Sequence, residues 1–308
     1  TAACAQSAPP AGPGAGNAAP QSPAAKPKLV IAVQPTNTPE QLAADAKELD
    51  AFLEARTGAD VEIRFPTTFA GMIEALRFGH ADAAFMSAWP AALAQKRANA
   101  DIALAEVREV IVDDKKVEEP FYYSYWVVNK NSPYQTLQDL KGKKAAVPST
   151  LSTSGYVAPM GRLVELGLVK AEQGKEIDPK QHFGEVFFAG GYAQAWESLK
   201  NGQSDVAVIA GDVAEKLYRE VLDATRVVEK QGPIPSHAVV FSKNLQEPLR
   251  GKLTDALMAL GSAENRPLMR KFISGIFVSF KPTTAEQHLG GLNKYLTLTN
   301  FNFTESIR

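Results

Sequence analysis

The sequence predicts an α/β protein of two lobes, each built on a mostly parallel sheet flanked by helices. Two stretches of the chain, 28–98 and 145–229, alternate strand-like and helix-like patterns. Strands that alternate with helices form parallel sheets with right-handed crossovers. The 308 residues exceed the usual size of one domain, and no apolar run reaches the length of about 18 residues that a transmembrane helix needs.

The first 28 residues differ in composition from the rest of the chain. They contain 10 alanines, 6 prolines and 3 glycines, but no aromatic residue and no valine, isoleucine, leucine or methionine. Such a segment cannot bury enough apolar surface to offset the entropy cost of ordering. We therefore predict a disordered linker over 1–28, followed by a body long enough for two lobes.

The single cysteine, Cys4, lies near the start of this linker, after Thr1, Ala2 and Ala3. Small residues before a cysteine and a flexible segment after it resemble the end of a lipoprotein signal peptide, although Thr1 stands where leucine is usual. We therefore predict that Cys4 is lipidated and anchors the protein to a membrane. The alternative is an incidental cysteine in a disordered tail.

Composition also excludes several classes of function. The formal net charge of −1 argues against nucleic-acid binding, because proteins of that class usually carry a basic surface. A single cysteine excludes a disulfide framework and a cysteine-based metal cluster. The four histidines lack the spacing of metal ligands, so we predict no metal site and no cofactor.

The first lobe begins with three strand–helix units. We predict strands over 28–34, 61–65 and 81–86, with helices that start near 39, 69 and 89. Ligand sites in parallel sheets lie at the carboxyl ends of the strands. Those ends are 34–38, 66–69 and 87–89, which makes Phe69, Ser87 and Trp89 candidate site residues. Trp89 could equally pack in the core of the lobe.

An aromatic and β-branched strand, 121–129, is long enough to run between the two lobes. The second strand–helix alternation follows it. The strand 237–241 is then predicted to return the chain to the first lobe, on which the helical segments after 245 would pack. We place lobe 1 at 29–123 and 237–308, and lobe 2 at 124–236.

A cluster of five hydroxyl residues follows one strand of the second alternation and opens a helix: Ser149, Thr150, Ser152, Thr153 and Ser154. A helix amino terminus exposes unpaired N–H groups and carries partial positive charge. Hydroxyls clustered there suit a tetrahedral oxyanion without any lysine or arginine. The alternative is ordinary N-capping, which needs only one serine or threonine.

The segment 152–155 (Ser-Thr-Ser-Gly), preceded by 139–144 (Asp-Leu-Lys-Gly-Lys-Lys), resembles the phosphonate- and phosphite-binding periplasmic proteins of ABC importers. Residues 68–79 resemble that family's helix after the second strand, and 122–133 its inter-lobe strand and turn. The resemblance implies a type II periplasmic binding protein that closes on its ligand by a hinge. It also implies a monomer without catalytic activity that serves an ABC permease in the membrane.

The resemblance assigns the phosphonate oxygens to Ser152, Thr153 and Ser154, in a motif that Gly155 completes. It places an inter-lobe tyrosine in the site. Tyr122 occupies that position, and the adjacent Tyr123 is the alternative.

Other family positions differ in this chain. Phe69 stands where the family has a pocket tyrosine, and Tyr192 stands near a family histidine. His237 replaces an acidic group that holds an amino substituent, although Asp212 could supply an acid nearby. An aminoalkyl ligand would then lose its charge partner, whereas a donating or protonated His237 would favour more negative charge. We therefore predict phosphite, phosphate or a simple alkylphosphonate as the ligand, rather than aminoethylphosphonate.

Two other functions remain open. Ser154, His237 and Asp212 could form a hydrolase relay, although no Gly-x-Ser-x-Gly elbow surrounds Ser154. A cation could instead occupy an aromatic cage formed by Trp89, Tyr122, Tyr123 and Tyr192. The hydroxyl cluster argues against the cage, because it favours negative charge.

Overall fold

The computed structural model describes residues 25–33, 39–66, 68–150, 152–272 and 274–301. Most of the predicted linker, including Cys4, lies outside these ranges, and so does the predicted strand end at 34–38. Within the ranges, no helix combines the length and the apolar character that crossing a membrane requires.

The predicted strand–helix alternation is present on either side of three consecutive strands, and the elements are numbered in chain order. The strands are β1 (Lys28–Val33), β2 (Asp60–Arg64), β3 (Ala83–Met86), β4 (Asp101–Val112), β5 (Lys115–Glu119), β6 (Phe121–Asn129), β7 (Lys144–Val147), β8 (Glu185–Phe188), β9 (Val206–Ala210), β10 (Thr225–Pro235), β11 (Ala238–Phe241) and β12 (Phe277–Pro282). The α-helices are α1 (Pro39–Thr57), α2 (Phe69–Phe78), α3 (Ala88–Ala98), α4 (Ala158–Glu165), α5 (Tyr192–Lys200), α6 (Glu215–Ala224), α7 (Leu249–Ala259), α8 (Arg266–Phe272) and α9 (Ala285–Thr299).

The first sheet, sheet A, has the strand order β12-β4-β11-β3-β1-β2, with β5 paired to β4. Strands β2, β1 and β3 pair in parallel, which confirms the prediction from their strand–helix alternation. The other pairings are antiparallel, so sheet A is mixed rather than mostly parallel. One reason is a tight hairpin: β5 turns back on β4 at Asp113 and Asp114, which both have positive φ. Strands β11 and β12 enter the sheet only after the chain has passed through the second sheet.

The second sheet, sheet B, has the strand order β10-β6-β9-β7-β8. Strand β7 pairs in parallel with β8 and β9, whereas β6 is antiparallel to β9 and β10, so this sheet is mixed as well. Strand β10 covers 225–235, so it extends beyond 229, where the predicted alternation ends. It is an edge strand and contains the polar run Glu229, Lys230 and Gln231. Its sequence therefore lacks the apolar alternation by which a strand is recognised.

Backbone hydrogen bonds link the two sheets at Gly211, directly after β9. The N–H of Ile111 on β4 donates to the Gly211 carbonyl at 3.0 Å, and the N–H of Gly211 donates to the Tyr123 carbonyl on β6 at 2.8 Å. A Cβ at position 211 would lie 2.6 Å from the Ile111 oxygen and 3.4 Å from the Tyr123 oxygen. The close approach of the two sheets therefore requires glycine at this point.

The helices after β11 contact both sheets. Helices α7 and α8 pack against α1, on the sheet A side, as expected. Helix α9 contacts α3, but it also packs on α4 and β10, so it is not confined to the first lobe. Its buried Leu289, Leu292 and Tyr295 share one apolar cluster with residues from both sheets. The helix therefore bridges the two sheets because its apolar residues meet partners on each side.

Candidate functional site

A cleft of about 280 Å³ opens beyond the carboxyl ends of β3, β7 and β9. Its wall takes residues from elements of both sheets. The lining residues are Phe69, Ser87, Tyr122, Ser149, Ser152, Thr153, Ser154, Tyr192, Asp212 and His237. All of them except Ser149 are predicted site residues, and Ser149 belongs to the predicted hydroxyl cluster. The structure therefore brings most of the predicted site together at the edge that parallel sheets use for ligands.

The turn after β7 presents the hydroxyl residues. Ser152 precedes a π-helical turn, Thr153–Val157, which leads into α4. Its Oγ accepts the N–H of Gly155 at 2.9 Å, so Ser152 also serves as the N-cap. Gly155 is buried, and a Cβ there would lie 2.7 Å from the Pro148 ring. Gly155 thus shapes the turn instead of lining the cleft, while Ser154 is not used for capping.

Ser154 joins two buried tyrosines into one hydrogen-bonded chain. The hydroxyl of Tyr122 donates to Ser154 Oγ at 3.0 Å, and Ser154 Oγ lies 2.6 Å from the hydroxyl of Tyr192. Because Ser154 accepts from Tyr122, its own proton can go to an anion in the cleft or to Tyr192. The Tyr192 proton then remains for Ser152 Oγ, 3.5 Å away, or for a ligand. Burial raises the pKa of both tyrosines, so both stay protonated at neutral pH.

A buried ion-pair cluster lies behind the cleft wall. Arg108 on β4 donates to Glu106 Oε2 and to Asp212 Oδ2, both at 2.9 Å. Burial alone would lower the pKa of Arg108, but the two carboxylates outweigh it, so its pKa is raised and the guanidinium stays charged. Burial raises the pKa of Asp212, and the charge of Arg108 opposes that rise. Since one guanidinium serves two carboxyl groups, the cluster offers no net positive charge to a ligand.

His237 faces the cleft from the connection between β10 and β11. Its Nδ1 lies 3.8 Å from Glu106 Oε2. Burial lowers the pKa of His237 well below its usual value, and the nearby Arg108 and His288 lower it further. The imidazole is therefore neutral at neutral pH. Of the two forms considered from the sequence, donating or protonated, this lowered pKa argues against the protonated one.

Tyr123 lies away from the cleft. Successive residues of a strand point to opposite faces, so the side chains of Tyr122 and Tyr123 diverge. The Tyr123 ring centroid lies 4.1 Å from the ammonium of Lys230, at a separate surface depression. The structure therefore places Tyr122, and not Tyr123, in the cleft.

Trp89 contributes its backbone N–H to the site, but its ring lies elsewhere. The side chain is buried, with the ring centroid 6.3 Å from that of Phe301, so the core-packing alternative is the one observed. The Trp89 N–H donates to Thr153 Oγ1 at 3.3 Å, which joins α3 to the hydroxyl turn. With Trp89 and Tyr123 elsewhere, the aromatic cage lacks two of its four predicted members.

Sequence reasoning misses Arg108 and Glu106, because the segment 99–120 contains no recognisable site motif. A signal is nevertheless present. The two charged residues occupy alternate positions of an apolar strand, 102–112, so they point to the same face. Both are buried, and buried charges are nearly always paired. A charged pair at this spacing could therefore have indicated a buried ionic partner elsewhere in the chain.

Two α/β sheets joined at Gly211, with a hydroxyl-rich cleft at their junction, form an arrangement suited to binding a small solute. A family model described as the phosphonate periplasmic substrate-binding protein of ABC transporters matches residues 31–288. The chain belongs to this family, whose members are substrate-binding proteins of transport systems.

Individual relatives agree with this assignment. The chain is 29% identical over 216 residues to the phosphonates-binding periplasmic protein of Escherichia coli K12, covering 68% of this chain and 59% of that protein. It is also 29% identical over 189 residues to the phosphate-import protein PhnD of Mycolicibacterium smegmatis, covering 61% and 56%. These matches span less than two thirds of either relative.

A solved structure shows the same fold. A binding-protein component of an ABC phosphonate transporter from Pseudomonas aeruginosa has a TM-score of 0.66 against this chain at 23% identity. The match covers 89% of this chain and 87% of that one. At this level of identity the likeness concerns the fold alone.

Proposed function

We propose that this chain is the periplasmic receptor of an ABC importer and that its cleft binds phosphite, phosphate or a simple alkylphosphonate. The hydrogen-bonded chain of Tyr122, Ser154 and Tyr192 carries the proposal. It directs neutral hydroxyl donors into a cleft at a helix amino terminus, where a tetrahedral anion is favoured. The two relatives named for phosphonates and for phosphate support the same class of ligand.

The charge arrangement favours oxyanions without an amino group. Asp212 is a carboxyl group in the cleft wall, but its charge is already paired with Arg108. A ligand ammonium would have to compete with this buried guanidinium for the same carboxylate. Neutral His237 gives a ligand ammonium no further negative charge. Aminoethylphosphonate is therefore expected to bind more weakly than the smaller anions.

The hydrogen bonds also favour binding over the two other functions. Ser154 bonds to Tyr122 and Tyr192, and Asp212 bonds to Arg108, so the groups of a Ser–His–Asp relay are engaged with other residues. A cation would be disfavoured in this cleft, because the same tyrosine hydroxyls donate hydrogen bonds and would present their protons to it.

We further propose that 29–123 with 237–308 and 124–236 move as two lobes in a monomer. The link at Gly211 lies where β4, β6 and β9 meet, which suits a pivot. Closure around the pivot would bury the oxyanion, and the closed surface would be presented to a membrane permease.

Ligand class can be tested by thermal shift and calorimetry on the purified protein. We expect phosphite, inorganic phosphate and methylphosphonate to raise the melting temperature, because a ligand that binds only the native state stabilises it. Choline serves as the cationic control and should give no shift. A shift with choline but with none of the three anions would contradict the proposal, as would tightest binding of aminoethylphosphonate.

Lipidation of Cys4 is a separate proposal, supported by the small residues before it and the apolar-poor segment after it. When the precursor is exported in a bacterial host, we expect the protein in the membrane fraction and Cys4→Ser in the soluble fraction, because acyl chains provide the membrane affinity. Both forms should bind methylphosphonate equally. Equal distribution of the two forms between the fractions would disprove the anchor.

A further inference from the structure

A row of four aromatic rings runs from α3 to β8 behind the turn that carries the ligand hydroxyls. The Phe301 ring stacks on the Tyr156 ring, with the centroids 5.0 Å apart and the planes 14° from parallel. The Phe301 centroid also lies 6.3 Å from that of Trp89 on α3. Tyr156 in turn meets Phe188, the last residue of β8, with the centroids 5.4 Å apart. The row therefore connects a helix of sheet A to a strand of sheet B.

The backbone before Phe301 is bonded to the connection between α4 and β8. Helix α9 ends at Thr299, whose carbonyl accepts the N–H of Ile177 at 3.0 Å. Asn300 follows with a φ of 52° and donates its side-chain amide to the Glu172 carbonyl at 3.1 Å. The half-buried Phe301 ring then packs against the apolar cluster around α3 and against the cluster on sheet B. The ring is thus held between the two sheets.

The turn beside this ring, 152–157, has an uncommon backbone. The carbonyl of Ser152 accepts two N–H groups, that of Tyr156 at 3.0 Å and that of Val157 at 3.1 Å. The first bond is α-helical and the second is π-helical, so the turn lies at the boundary between the two geometries. A π turn holds one residue more than an α turn, and a change to α geometry would rotate the residues within it. Its shape therefore depends on the side chains packed against it.

We propose that Phe301 is a positioning residue for the ligand hydroxyls: its ring supports Tyr156 and thereby keeps Ser154 directed into the cleft. This inference rests on the proposed oxyanion function. Phe301 does not line the cleft, so it acts on the ligand only through the turn. Tyr156 and Ser154 belong to the same turn, two residues apart, and a shift of the Tyr156 ring therefore moves the backbone that carries the Ser154 hydroxyl.

A second contact supports the same turn from its other end. The N–H of Trp89, the ring neighbour of Phe301, donates to Thr153 Oγ1 at 3.3 Å. The aromatic row thus adjoins both Thr153 and Tyr156, with Ser154 between them. Accurate support matters here because a hydrogen bond weakens steeply once its angle departs from linearity, and a binding group has to be held to within about 0.5 Å.

Calorimetry with methylphosphonate on the whole protein tests this inference. We expect Phe301→Ala to weaken binding by about tenfold, the loss that follows when one hydrogen bond to a charged ligand is impaired. Phe301→Tyr keeps the stacked ring, and the ring borders a groove of about 610 Å³ that has room for the added hydroxyl. This variant should bind methylphosphonate as the native protein does.

A double-mutant cycle separates positioning from a general loss of structure. If Phe301 acts through Ser154, then Ser154→Ala should cost at least about threefold less affinity in the Phe301→Ala background than in the native protein. Effects of separate sites that do not act on each other add. Additive effects would therefore contradict the positioning role, even if Phe301→Ala bound weakly. Should Phe301→Ala fail to fold, Phe301→Leu takes its place in the cycle, because leucine keeps apolar bulk but not the stacked plane.

Phe280→Leu is the matched control. The Phe280 ring also stacks on another ring, that of Phe85 at 5.9 Å and 29°, but it does not line the cleft or join the aromatic row. It should lower the melting temperature and leave the methylphosphonate affinity unchanged. Native affinity in both Phe301→Ala and Phe301→Leu would overturn the inference alone. Failure of the native protein to bind phosphate, phosphite and methylphosphonate would overturn the proposed function and the inference with it.

Discussion

Replacing Ser154 by alanine is expected to weaken methylphosphonate binding by about 1–3 kcal/mol, because the ligand loses a charge-assisted hydrogen bond. Each 1.4 kcal/mol corresponds to about a tenfold change in the dissociation constant. The substitution also removes the partner of the Tyr122 hydroxyl at 3.0 Å and of the Tyr192 hydroxyl at 2.6 Å. The Tyr122 hydroxyl would then lose its acceptor and the Tyr192 hydroxyl its nearest hydrogen-bond partner, so the chain that faces the ligand would be interrupted.

Titration calorimetry measures this effect, and Ser198→Ala provides the control. Ser198 is also buried and donates to another serine hydroxyl, Ser204 at 3.2 Å, but it lies on α5 away from the cleft wall. We expect Ser198→Ala to leave the methylphosphonate affinity unchanged. If Ser154→Ala bound as tightly as the native protein, Ser154 would not be a ligand residue.

Replacing Gly211 by alanine is expected to lower the free energy of unfolding by about 1–3 kcal/mol. The new Cβ would lie 2.6 Å from the carbonyl oxygen of Ile111, which belongs to the backbone of β4 and cannot rotate away. Relief requires β4 to separate from the turn after β9, which would lengthen the hydrogen bonds that link the sheets. Because Asp212 is the next residue, phosphate binding should weaken as well.

Urea unfolding followed by circular dichroism measures the change in stability. The control is Gly290→Ala, since Gly290 lies within α9 and a Cβ there meets no atom within 4 Å. Alanine is the better helix former by about 1 kcal/mol, so this variant should be slightly more stable than the native protein. Equal stability of Gly211→Ala and the native protein would show that the two sheets are free to separate at this point.

Much of the fold could be predicted because its signals are local. The apolar run at 28–33, the hydroxyl cap at Thr68 and the positive-φ Gly79 define a strand and the two ends of a helix within a few residues. The antiparallel strands β4, β5 and β10 could not be predicted as readily. Their pairing depends on partners distant in the chain, and the polar faces of edge strands blur the alternation.

The site likewise combines features with a local sequence signal and features that depend on distant parts of the chain. The hydroxyl turn and the strand ends are contiguous in the chain, so Ser152, Thr153 and Ser154 could be nominated together. The choice of Tyr122 over Tyr123 depends on which strand face turns to the cleft, which only the pairing of β6 with β9 and β10 determines.

By itself, the sequence determined the strand–helix alternation and the hydroxyl-rich turn, because each is encoded within one short segment. Only the tertiary structure decided that Arg108 holds Asp212 beside the cleft and that α9 bridges both sheets. The two partners of that ion pair are 104 residues apart and lie on different sheets. Their contact exists because the sheets meet at Gly211. Packing between distant segments leaves no periodic pattern in the sequence of either segment.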